Sequence, residues 1–136
     1  MAFILLALAR PQAGVKEISI TTSRGAAVIA LDVSRSMLAE DVRPSRLEAA
    51  KLIAMDLVND LHGFEIGVMA YAGEATMLAP LTFERDFLLQ SIGEAGPNDV
   101  SRGGTNFSNA FYEAVAILGP MTYSPKLLFL LTDDED

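Results

Sequence analysis

Residues 26–41 read AAVIALDVSRSMLAED. Ala26 to Leu31 are apolar at every position, and the run ends abruptly in Asp32, with Ser34 and Ser36 following at alternate positions. A strand apolar on both faces belongs inside a parallel sheet, where helices cover it above and below. Alternate residues of an extended segment point the same way, so Asp32, Ser34 and Ser36 can present three oxygens to one point. In an open α/β sheet, ligands gather in the crevice beyond the carboxyl ends of the strands, which is where this strand would hold them.

Outward from that stretch, further elements follow. Upstream, VKEISITT at 15–22 alternates in part, with Ile18 and Ile20 on one face, and predicts an edge strand. Downstream, Pro44 closes a loop, and Ser45 with Glu48 matches the S-x-x-E capping box. Leu47, Ala50, Ala54, Leu57, Val58 and Leu61 then form one helical stripe, which Gly63 stops. FEIGVMAYAG at 64–73 predicts a second buried strand. TMLAPLT at 76–82 predicts a short one beside it, kept from the sheet centre by Pro80.

A helix is expected from Thr82 to about Ile92, with Glu84 and Asp86 in its first turn, where the dipole favours acids. After the loop GEAGPNDVSRGG, the segment TNFSNAFYEAVAILGP predicts a helix with Phe107, Ala110, Phe111, Ala114, Val115 and Leu118 on its apolar side. KLLFLLTDDED is another strand apolar on both faces, and it too ends in acids. The order β, β, α, β, β, α, α, β implies an α/β fold: a mostly parallel sheet flanked by helices. With no helix after the last strand, residues 14–136 are expected to be a domain lacking its last strands and helices.

The totals narrow the function. A chain of 136 residues fits one core. Its 51 % apolar content excludes a disordered chain. A net charge of −8 argues against nucleic acid and for cations or basic partners. The absence of cysteine removes disulfides, thiolate nucleophiles and cysteine-ligated zinc. His62, the one histidine, sits at a helix-to-strand corner in NDLHGFE, a surface or capping position rather than a triad member. Neither glycine-rich nucleotide motif occurs.

The opening MAFILLALA is apolar but falls short of the roughly 20 residues a membrane span requires. It also lacks the basic region that precedes the apolar core of a signal peptide. LLALARPQ passes from apolar residues to Arg10 and Pro11, as at a membrane boundary, so residues 1–13 are read as the end of a transmembrane or juxtamembrane segment. The other reading is a short packing segment.

Asp133 ends the second both-faces-apolar strand as Asp32 ends the first. With Ser34 and Ser36 they make a hard-ligand cluster suited to Mg²⁺, Mn²⁺ or Ca²⁺, and Thr105 in RGGTN is placed to offer another hydroxyl. Few carboxylates and several neutral hydroxyls leave much of the ion's charge unneutralised, so it accepts a further anionic oxygen and becomes a docking point. Singly, each residue is also an ordinary turn former or helix cap. The convergence of three elements on one sheet edge is what points to a site. A haloacid-dehalogenase-type phosphohydrolase is the enzymatic alternative, but it needs D-x-D, and Ser34 cannot shuttle the proton near neutral pH. A third alternative is a structural domain without metal function.

With these residues assembled, the chain resembles the von Willebrand factor type A domain and its metal-ion-dependent adhesion site. The pattern D-x-S-x-S, a loop threonine and an aspartate after an apolar strand appears as DVSRS, GGT and LLTD. Within that family it looks like the membrane-associated bacterial Bat (aerotolerance) branch, through ALARPQ, RLEAAK, IGVMAYAGEA, PLT and GGTN. The resemblance implies a Rossmann-like fold in which Ser34, Ser36 and Thr105 ligate a divalent ion directly or through water, with Asp32 and Asp133 completing the shell. It implies protein binding without catalysis, a partner carboxylate completing the coordination, and an inner-membrane protein working beside MoxR-type AAA+ ATPases and other Bat proteins. Arg35 and Asp134 depart from the family pattern, both standing where glycine is usual. Arg35 can point to solvent; Asp134 costs backbone freedom and adds negative charge near the ion.

Overall fold

The computed structural model describes residues 3–8, 25–38, 45–100, 107–119 and 126–132. In chain order the elements are β1 (Phe3–Leu8), β2 (Gly25–Asp32), a 3-10 turn at Arg35–Leu38, α1 (Arg46–Asp60), β3 (Phe64–Tyr71), β4 (Ala75–Thr82), α2 (Arg85–Glu94), a 3-10 turn at Pro97–Asp99, α3 (Phe107–Leu118) and β5 (Lys126–Leu131). The strands form one sheet in the order β1-β5-β2-β3-β4. All neighbours pair in parallel except β4, which runs antiparallel to β3 at one edge.

The positions follow from composition. Every residue of β2 and of β5 is buried, as suits strands covered on both faces. β4, with Pro80 exposed, stays half-buried at the edge. Its register against β3 shifts between Ile66 and Met69. Gly67 lies in that irregular stretch, where a Cβ would stand 3.3 Å from the Ala79 carbonyl oxygen.

Two cores result, one on each face. Ile29 and Leu31 of β2 pack with Leu47, Ala54 and Val58 of α1 and Leu88 and Ile92 of α2. On the other face Val28, Ala30, Met69 and Leu128 pack with Ala110, Ala114 and Leu118 of α3. The α1 start is capped as its sequence predicts, the Glu48 N–H donating to Ser45 Oγ at 3.1 Å. Beyond its end Gly63 adopts a φ of 80°, the left-handed conformation that glycine takes at no steric cost.

Two buried lysines fasten helix ends. Lys51 Nζ donates to the Gly93 carbonyl near the end of α2 at 3.0 Å, and Lys126 Nζ to the Gly119 carbonyl after α3 at 2.9 Å. Each ammonium meets the negative end of a helix.

Two readings differ in the structure. Thr82 stays in β4 and its Oγ1 accepts the Glu84 N–H at 3.1 Å, so α2 begins at Arg85 with Glu84 as its N-cap. Phe111 is 41 % exposed, because the α3 stripe that faces the sheet is the narrower one of Ala110, Ala114 and Leu118. It lies edge-on to Tyr112, the ring centroids 6.4 Å apart. The N-terminal apolar run forms β1 at the sheet edge, paired along one side with β5 at Phe3–Leu8. Among the described residues no helix is long and apolar enough to cross a membrane. The edge strand expected at 15–22 lies outside the described residues.

Candidate metal centre

β2 and β3 end together, Asp32 opposite Tyr71, and the chain leaves β2 with the Val33 N–H donating to the Tyr71 carbonyl at 2.9 Å. Asp32 is fully buried. Its carboxylate is an acceptor at both oxygens. Oδ1 takes the Ser34 N–H at 2.9 Å, and Oδ2 takes the Thr132 hydroxyl at 2.6 Å. The first bond is local and folds the backbone back on the strand end. The second comes from the residue just past β5, which the parallel register (Leu31 opposite Leu131) brings alongside Asp32.

Ser34 is buried and opens the 3-10 turn, its carbonyl accepting the Met37 N–H at 3.0 Å. Met37 inserts into the core on the α1 side and anchors that turn. Arg35 is exposed, as expected of a side chain directed to solvent. Across the edge, Asn109 Nδ2 donates to the Gly73 carbonyl at 3.0 Å, tying the first turn of α3 to the β3–β4 connection. The chain therefore enters α3 at the carboxyl edge of the sheet.

Of the five ligands expected from the sequence, Asp32 and Ser34 lie together. Ser36 has its backbone on the 3-10 turn beside them, with its side chain outside the description. Thr105 and Asp133 lie outside the described residues, two positions before α3 and one after Thr132. Thr132 was missed as a partner of Asp32. Its signal was the hydroxyl in LLTD, legible only once β5 is set beside β2. Among the described residues no three His, Cys, Asp or Glu side chains converge on a point that could hold an ion. The donors assembled are one carboxylate and neighbouring hydroxyl-bearing residues, all oxygen and therefore hard.

Residues 27–135 match the family model described as the von Willebrand factor type A domain. A UPF0353 protein of Mycobacterium sp. strain KMS is 31 % identical over 120 residues, covering 88 % of this chain and 35 % of that protein. The chain thus spans about a third of the length of such curated relatives. Among solved structures, BatB of Bacteroides thetaiotaomicron superposes with a TM-score of 0.71 at 32 % identity, over 76 % of this chain and 51 % of that one. An aerotolerance-related membrane protein of Bacteroides fragilis gives 0.72 at 30 % identity, over 77 % and 52 %.

Proposed function

Because the chain belongs to the von Willebrand factor type A domain family, we propose that it is a protein-interaction module whose docking point is a divalent cation at the carboxyl edge of the sheet. One observation carries this reading: Asp32 is fully buried at that edge, both of its oxygens orient toward donors, and Ser34 stands beside it. A carboxylate kept out of water at the mouth of a ligand crevice, among hydroxyls, suits a small hard cation.

In this proposal Asp32 and Ser34 hold the ion with Ser36, Thr105 and Asp133. The ion is Mg²⁺ or Mn²⁺, with Ca²⁺ the other candidate by donor type. When bound, it supplies an open coordination position for an acidic side chain of a partner protein. The chain's own residues do the orienting: Thr132 and the Ser34 amide fix the Asp32 carboxylate, and Met37 anchors the turn that carries Ser34 and Ser36. A phosphohydrolase reading gains nothing from the structure, because the group two residues after Asp32 is the Ser34 hydroxyl, which is no acid/base near neutral pH.

The likeness to BatB and to an aerotolerance-related membrane protein supports extending the proposal to a bacterial inner-membrane setting. There the partners would be other Bat proteins and a MoxR-type AAA+ ATPase. Calorimetric titration of Mg²⁺ and Mn²⁺ into the chain, with Asp32→Ala and Ser34→Ala beside it, tests the core of the reading. Saturable binding abolished by both substitutions is expected. A folded wild-type chain that takes up neither ion would overturn it.

A further inference from the structure

The 3-10 turn that follows Asp32 is pinned from the inside and carries a charge on the outside. Ser34 and Met37 are both buried, and the Met37 N–H donates to the Ser34 carbonyl at 3.0 Å. With three residues per turn, successive side chains stand a third of a turn apart, so the turn that buries Met37 directs Arg35 to solvent. The backbone of Arg35 is thereby held by its neighbours while its guanidinium faces outward.

Among the described residues no carboxylate pairs with Arg35. Asp32, three positions before it, is fully buried, and its two oxygens take the Ser34 N–H and the Thr132 hydroxyl instead. Arg35 thus sets an unneutralised charge next to Ser34, since consecutive Cα atoms are only about 3.8 Å apart. Its planar fork of N–H donors matches a carboxylate with two parallel bonds. A chain of net charge −8 repels acidic partners at long range. A cation fixed beside the docking point therefore selects which acidic segments approach it.

Resting on the reading of the carboxyl edge as a metal-dependent docking point, we propose that Arg35 is its second recognition element and that the partner offers two carboxylates at alternate positions of an extended segment. One carboxylate completes the coordination of the ion, and the other takes the Arg35 fork. Alternate residues of an extended chain share one face and lie about 6.8 Å apart, a span within reach of an arginine rooted beside Ser34. Adjacent acids point to opposite faces and present only one carboxylate to the site.

The test uses the ¹⁵N-labelled full chain saturated with Mg²⁺ at low ionic strength, where exposed charges are least screened, and three capped peptides. Acetyl-Glu-Gly-Glu-amide carries acids at alternate positions, acetyl-Glu-Glu-Gly-amide the same charge at adjacent ones, and acetyl-Glu-Gly-Gln-amide a single acid. Saturable shifts at the amides of residues 32–38 are expected, with the first peptide binding about fivefold more tightly than either of the others. Arg35→Gln should erase that advantage without lowering Mg²⁺ affinity, because it removes one cation from beside another. Arg35 is exposed, so the variant retains the fold, which its own spectrum verifies. Equal binding of the two diacids would reduce recognition to net charge and overturn the proposal, as would an advantage that survives Arg35→Gln. A fall in Mg²⁺ affinity in Arg35→Gln would overturn it too, making Arg35 a support of the turn. A wild-type chain that takes up no Mg²⁺ by calorimetry sinks the metal reading itself, whereas one that binds Mg²⁺ and all three peptides alike sinks only the assignment of Arg35.

Discussion

Thr132 Oγ1 donates a 2.6 Å hydrogen bond to Asp32 Oδ2, joining two residues one hundred positions apart at the ends of neighbouring strands. The acceptor is fully buried and Thr132 nearly so, hence water cannot replace the donor at little cost. Thr132→Val keeps the shape and removes the hydroxyl. Urea unfolding should register a loss of about 1.5–3 kcal/mol, the range for a hydrogen bond to a charged group, and Thr132→Ser should restore most of it. Equal stability of Thr132→Val and wild type would mean that Asp32 is oriented by Ser34 alone.

An ion that binds the folded chain and not the unfolded one must raise its stability by mass action. At Mg²⁺ one hundred times above its Kd the gain should be about 2.7 kcal/mol, several degrees in Tm for a domain of this size. Chelation should reverse it, and Asp32→Ala should be insensitive to Mg²⁺ at every concentration. A gain of the same size in Asp32→Ala would assign the ion to another place on this acidic surface.

Lys51 has two partners of different kinds: the Gly93 carbonyl at 3.0 Å and Glu48 at 3.2 Å. Glu48 is half exposed, and such an ion pair contributes little, whereas the bond to Gly93 holds α1 to α2. Lys51→Met should therefore cost about 1 kcal/mol through the lost carbonyl bond, and Glu48→Gln less than about 0.5 kcal/mol. The reverse order in chemical denaturation would make the ion pair the dominant contact.

The parts of the fold legible in sequence are those decided by near neighbours. Residues 26–31 and 127–131 announce interior strands because both faces are apolar, and Ser45, Glu48 and Gly63 mark the limits of α1 by local hydrogen bonding and backbone conformation. Phe3–Leu8 carries no such signal, since six consecutive apolar residues fit a strand or part of a helix equally. Lys51 and Lys126 look like surface charges until a distant carbonyl is known to meet each. At the site, Asp32 and Ser34 were visible as a spacing on one strand end. Thr132 required the register between β2 and β5, a relation that no window of sequence contains.

Packing and the site are linked through α3. Ala110 and Ala114 are fully buried against Val28, Ala30 and Met69, and their small size lets the helix lie close to the sheet. Asn109 then reaches the Gly73 carbonyl, which holds the start of α3 at the carboxyl edge, two residues after Thr105. Ala114→Leu inserts three carbons into a filled space and should cost about 1–3 kcal/mol by overpacking. Because relief comes by moving α3 off the sheet, Mg²⁺ affinity should fall with stability. Phe111→Ala, on the exposed side of the same helix, should leave affinity unchanged. Paired calorimetry on the two variants decides the matter: if Ala114→Leu loses stability at undiminished Mg²⁺ affinity, the seat of α3 does not set the affinity of the site.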